Sequence, residues 1–145
     1  MYIKRDLERV ISDALRGKKV VILYGSRQTG KTTALNYLLE IEQHQPNDPD
    51  LYFFLGDLLA DMDRMDEAIC YLNLGLQRTN NDPTLLYLLA YLHLERNERN
   101  LALHYLEDAL QANPDYYKEF IEYNPEMITN DLEVMELIEK IKDKR

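Results

Sequence analysis

The sequence predicts a mainly α chain: an array of antiparallel helical hairpins with a C-terminal capping helix, preceded by a truncated strand–loop–helix segment. Three observations predict it. A shift of 34 residues lays Asp48-Pro49 on Asp82-Pro83 and pairs small residues with small and large apolar residues with large. A G-x-x-x-x-G-K-T stretch occupies Gly25 to Thr32 behind a short apolar run. Composition also changes near Pro46: residues 1–45 hold eight Lys and Arg against five acids, and the rest of the chain holds nine against twenty-one. The expected segments are therefore 1–45, 46–116 and 117–145.

The bulk numbers narrow the class. A chain of 145 residues, 46% hydrophobic and 30% charged, suits one domain that can bury a core. A net charge of −9 argues against binding nucleic acid through its phosphates. The single cysteine, Cys70, allows no intrachain disulfide. The longest clean apolar run, Val20 to Tyr24, is far too short to span a membrane. A cytoplasmic location is the expectation that follows.

In the first segment, Lys19 to Tyr24 reads as a buried strand, Gly25 to Thr32 as a glycine loop and Thr32 to Gln43 as a helix. Such a loop aims backbone N–H groups at phosphates, and the helix N-terminus adds a positive dipole end. Lys31 would reach the β- and γ-phosphates and Thr32 would ligate Mg²⁺. The expected ATP and Mg²⁺ set is thus Gly25, Ser26, Gly30, Lys31, Thr32 and Thr33. Tyr2-Ile3-Lys4-Arg5-Asp6-Leu7, followed by Lys19 through Thr33, resembles the opening of prokaryotic AAA-type ATPases. That resemblance covers less than a third of the chain and implies nucleotide binding, with a P-loop NTPase fragment as the alternative function.

A P-loop ATPase also needs several parallel strands and an acidic residue for Mg²⁺ and water. The one candidate, Leu51 to Asp57, is placed in a helix by the repeat, so no catalytic residue is assigned. Moving the period back once more sets Ala34 on Ala68, Tyr37 on Tyr71 and Leu38 on Leu72. The helix after the loop therefore has the face of a repeat helix. On that reading Lys18 to Ser26 could be a preceding antiparallel helix with Gln28-Thr29-Gly30 as its turn. Both readings of 18–30 stay open, as does pairing of the Lys19–Tyr24 strands of two copies to hide an open edge.

The repeats follow. Helices are expected at 50–62 and 66–79, then at 83–96 and 98–112. Asp48-Pro49 and Asp82-Pro83 each read as an N-cap followed by a first-turn proline. Asp63 to Asp66 and Asn97 to Asn100 read as polar turns. The aligned positions Leu55 and Leu89, Gly56 and Ala90, Ala68 and Ala102, Tyr71 and Tyr105, Leu72 and Leu106, and Gly75 and Ala109 give a close-packed hairpin in each repeat. With Tyr52, Leu59, Leu86, His93 and Pro114, they make residues 49–116 resemble the tetratricopeptide repeat family. Two departures stand out: Asn80 replaces the proline that closes a repeat, and His93 replaces an aromatic residue.

The resemblance implies a protein–protein interaction module with a groove lined by the first helix of each repeat. By register that surface presents Asp50, Phe53, Asp57 and Ala60, then Thr84, Tyr87, Tyr91 and Leu94. The expected partner-binding set is Asp50, Phe53, Asp57, Thr84, Tyr87 and Tyr91, suited to a peptide with basic and apolar side chains. The basic carboxylate clamp of chaperone-binding relatives is not matched, because Phe53 and Asp57 stand at its key positions.

After Pro114, Asp115 to Tyr123 reads as a short helix stopped by Pro125. Asp131 to Lys142 reads as an amphipathic cap with Leu132, Met135, Leu137, Ile138 and Ile141 as its stripe. His44, His93 and His104 have no metal-ligand spacing with Cys70, which reads as a packing residue.

Overall fold

A computed structural model of the chain describes residues 28–144. Helix α1 is Gln28–His44, α2 Pro49–Asp61, α3 Met65–Arg78, α4 Pro83–Glu95, α5 Arg99–Ala112, α6 Tyr117–Tyr123, α7 Pro125–Thr129 and α8 Leu132–Asp143, with a 3-10 turn at Pro114–Tyr116. The described residues contain no strand. No helix among them is long and apolar enough to cross a membrane. The chain divides into two compact units, one ending at Thr79 and the other starting at Asn80. The boundaries expected at 45/46 and 116/117 fall inside those units.

In the first unit α2 and α3 form a hairpin and α1 packs on α2. Asp48 caps α2 by accepting the Asp50 N–H at 3.0 Å, and Pro49 occupies the first turn, where its missing N–H costs nothing. Leu51, Leu55, Leu59, Ala68 and Leu72 are fully buried, joined from α1 by Ala34, Leu35 and Leu38. The α1 face is the one the extended period identifies. Gly56 is required where it stands, since a Cβ there would fall 2.6 Å from Leu72 Cγ.

Leu51 to Asp57 is helical, so the strand alternative for this segment fails. The expected strand Lys19–Tyr24, together with Gly25 and Ser26, lies outside the described residues. The helix expected from Thr32 begins earlier, at Gln28. Gln28-Thr29-Gly30 is therefore helix, neither a phosphate loop nor a turn between helices. A phosphate loop needs glycine for its backbone shape and close approach. Gly30 has neither a positive φ nor any atom within 4 Å of where a Cβ would sit.

In the second unit α4 and α5 repeat the hairpin, with Asp82 accepting the Thr84 N–H at 3.0 Å. The period reaches the backbone of the inter-helix turns. Asp63 has φ 60° and Asn97 φ 59°, both in the left-handed region. The next residue of each turn returns its N–H to the helix: Arg64 to the Leu59 carbonyl at 2.8 Å and Glu98 to the His93 carbonyl at 2.9 Å.

Beyond Pro114 the chain continues the pattern as a third, degenerate hairpin, with α6 against α4 and α8 against α5. Its first helix is broken at Asn124, which leaves the helical region with φ −159° and accepts the Met127 N–H at 3.2 Å. Pro125 does end α6, as expected, but it also opens α7. Helix α8 is rotated from the expected stripe. Val134 and Ile138 are buried, whereas Leu132 is 77% exposed. At its cap, Asp131 accepts the Val134 N–H at 3.2 Å and is gripped by both Arg99 guanidinium nitrogens, at 2.8 and 2.9 Å.

Candidate functional site

In the first unit the exposed face of α2 is set by its length and its buried sides. Most of the helix is enclosed, which leaves Asp57 and Asp61, one turn apart, reaching water. Asp57 is exposed, yet protein crowds its carboxyl. That desolvation, with the like charge of Asp61 added, holds it above the usual carboxylate range. Asp61 takes the ammonium of Lys31 from α1 at 2.5 Å. Lys31 is thus engaged by a carboxylate of its own unit. Thr32 and Thr33 follow it on α1, Thr32 exposed and Thr33 half-buried.

Other groups expected on this face lie deeper. Phe53 is only 8% exposed and meets Phe54 edge to face at 6.3 Å. Asp50 is half-buried in the capped first turn and Ala60 is half-buried. Behind the face, buried Tyr52 donates to the Pro46 carbonyl at 2.7 Å and accepts from Arg78 at 2.7 Å; Arg78 also pairs with Glu42. This chain of groups ties the ends of α1 and α3 to α2. Burial is the main reason the Tyr52 hydroxyl is held above its ordinary value. Nothing in the residue types alone pairs Glu42 with Arg78 across 36 positions or Lys31 with Asp61, because neither lies at helical spacing.

In the second unit the same register is largely covered by the chain itself. Tyr87 is fully buried, donates to the Asn113 carbonyl at 2.6 Å, and lies 5.1 Å from the Tyr116 ring and 5.6 Å from Phe120. Burial, then the nearby Asp115 and Glu119, pushes its hydroxyl far above the usual tyrosine value. Tyr87, expected on a partner-binding surface, is thus a seat for the segment after Pro114. Tyr91 is half-buried, donates to Glu95 at 2.5 Å and packs against Tyr123 at 5.6 Å. Thr84 is half-buried and donates its hydroxyl to the Asp82 cap. Leu94 is nearly enclosed.

His93 explains its own departure from the aromatic pattern. It is buried and stacks on Tyr105, with centroids 5.3 Å apart and rings 3° from parallel. A flat imidazole therefore fills the aromatic slot, and its Nδ1 lies 3.4 Å from Glu98. The described residues hold no group of three or more His, Cys, Asp or Glu side chains arranged to bind a metal ion. Cys70 is exposed on α3, not packed as expected.

Residues 49–82 and 83–116 each match the family model of the tetratricopeptide repeat, the boundaries that the Asp-Pro period and the two hairpins define. No curated protein matches the chain. Tetratricopeptide repeat domains generally bind proteins or peptides, so the two matched repeats support an interaction module. No match supports the expected Walker A segment.

Proposed function

We propose that this chain is a peptide- or protein-binding module whose contact surface on the first unit is the face of α2 that bears Asp57. The partner presents a lysine or arginine to that carboxylate with apolar side chains beside it. The single observation that carries the reading is an exposed acid, crowded by protein, on the leading helix of a matched repeat. A partner cation relieves two burdens at once, the partial desolvation of Asp57 and its repulsion by Asp61. Asp50 and Phe53 flank it at the preceding turns. In the second unit, Thr84 and Tyr91 are the register positions that water still reaches, and Tyr87 acts from behind by holding α6.

Affinity capture tests this. The immobilised wild-type chain is compared with Asp57→Lys, and with Glu122→Lys as a control on an exposed position elsewhere. Loss of the captured partner with Asp57→Lys alone is the expected result. Equal recovery by all three chains removes α2 as the contact.

A further inference from the structure

The second unit carries a surface depression that the α2 reading does not use. It lies between α5 and α8, with a volume of about 480 Å³, lined by Asn100, Leu103, His104 and Glu107 from one helix and Glu133, Glu136, Leu137 and Lys140 from the other. The Arg99–Asp131 fork joins the starts of the two helices at one end, and Val134 and Ile138 are buried. Leu103 and Leu137 are left half-buried as an apolar floor.

We propose that this groove is a second docking site, on the opposite helix of the hairpin from the proposed α2-type contact, and that it takes a basic amphipathic helix. Charge argues for a basic partner: Glu107, Glu133 and Glu136 face it against the lone ammonium of Lys140. Glu133 is shared with Arg99 at 3.3 Å and His104 leans 3.6 Å from Asp108. Glu107 and Glu136 have no ion pair among the described residues. Shape argues for a helix. The lining runs from Asn100 to Glu107, about 10 Å or two helical turns. A trough between two neighbouring helices accepts the side-chain ridge of a third. Apolar residues at i and i+4 of the incoming helix then sit on Leu103 and Leu137, with lysines on its flanks meeting the glutamates.

The probe is a synthetic amphipathic peptide with leucines at i and i+4 flanked by lysines. Its partner is the same peptide with serine in place of leucine, at unchanged charge. Chemical-shift mapping on the isotope-labelled full chain is expected to place the leucine peptide along 100–107 and 133–140. The serine peptide should bind much more weakly. The double variant Glu107→Lys/Glu136→Lys, on two exposed positions, should weaken the leucine peptide by about tenfold, since two screened attractions become repulsions. Asp57→Lys should leave the shifts along 100–107 and 133–140 unchanged, which separates failure here from failure of the α2 reading. Equal binding of both peptides, shifts spread over other acidic surfaces, or an unaffected double variant each overturn the proposal. The wild-type map decides the matter even if the double variant misfolds.

Discussion

On the leading helix of the first repeat, Asp57 meets water; 34 positions on, Tyr91 packs its ring on Tyr123. Phe53 is matched in the same way by Tyr87, Gly56 by Ala90 and Leu59 by His93. The two helices have the same caps, the same first-turn proline and the same lengths, 13 residues each. Their surroundings differ because the chain supplies different neighbours. In the second unit the segment after Pro114 folds back and lays Tyr116, Phe120 and Tyr123 along α4. A repeat register therefore states which side of a helix a residue occupies. It does not state whether the chain will cover that side with its own aromatics.

The largest expected effect comes from stripping that cover. Tyr87→Ala removes a fully buried ring and should cost about 3–5 kcal/mol in chemical denaturation. Tyr87→Phe keeps the ring and removes only the donor to the Asn113 carbonyl, so it should cost about 1 kcal/mol. A small loss for the alanine variant would mean that α6 does not depend on this seat, and the contrast between the repeats would dissolve.

Next comes the hairpin interior, where Gly56 and Ala90 differ by one methyl. In an exposed helix, Gly→Ala gains about 1 kcal/mol from propensity. At Gly56 the new Cβ would sit 2.6 Å from both Leu72 Cγ and Cδ2, contacts that involve the branch point of the side chain and not just its flexible end. Overpacking of this kind costs about 1–3 kcal/mol, so Gly56→Ala should lower the unfolding midpoint. Leu72→Val in the same chain should recover part of the loss, a coupling that independent sites would not show. At the register position of Gly56 the second repeat carries Ala90, which is fully buried, as is Leu106 at the register position of Leu72.

How much of this was legible follows from where the information lies. Helix existence and phase came through to within a residue at 49–112, because Asp-Pro caps and alternating small and large apolar residues are local signals. The departure at Asn80 has a backbone reason: its φ is 56°, which the proline ring forbids. The glycine motif is a different case, since Gly25 to Arg27 lie outside the described residues and only its second half can be placed. Lys31 and Gly30 have the right spacing for a phosphate loop, but Gly30 is helical and the Lys31 ammonium is held by Asp61, a partner 30 positions away. The burial pattern of α8 was illegible because its neighbours are non-local: it packs on α5, with Arg99 gripping Asp131 at its start. Burial of Tyr87 was illegible because its cover, Tyr116 and Phe120, sits at and just past the end of the second matched repeat, where the repeat register no longer says how the chain turns.

The Arg99–Asp131 grip offers a third break, in the second unit alone. Arg99 holds the Asp131 carboxyl below the usual carboxylate range, with the Val134 N–H helping. A depressed carboxyl contributes stability above its unfolded pKa and loses it as pH falls through the lower folded value. Asp131→Ala should cost about 1–2 kcal/mol at neutral pH, from the cap and the partly exposed pair together. Asp131→Asn keeps a capping oxygen and should cost less than about 1 kcal/mol. Unfolding curves of wild type and Asp131→Asn should converge in strong acid. A gap that persists there would assign the contact to packing and not to charge.

The smallest effect falls on the first unit, where the sign is reversed. Asp57 is raised, so its ionised form disfavours the fold at neutral pH, and that cost fades as pH falls through its folded value. Asp57→Asn should therefore stabilise slightly at neutral pH, by no more than about 0.5 kcal/mol because water still screens the group. The gain should vanish in acid. Lys31→Ala should lose less than about 1 kcal/mol and enlarge the gain from Asp57→Asn, since Asp61 then repels Asp57 without its counter-charge. Mg-ATP sharpens the same comparison. A phosphate that captured Lys31 would have to strip it from Asp61, so millimolar nucleotide is expected to leave the midpoint unmoved, whereas a stabilisation abolished by Lys31→Ala would restore the glycine motif as a binding loop. Two opposite pH slopes in one chain, falling in acid at Asp131 and rising in acid at Asp57, would separate a carboxylate held for structure from one left available to a partner.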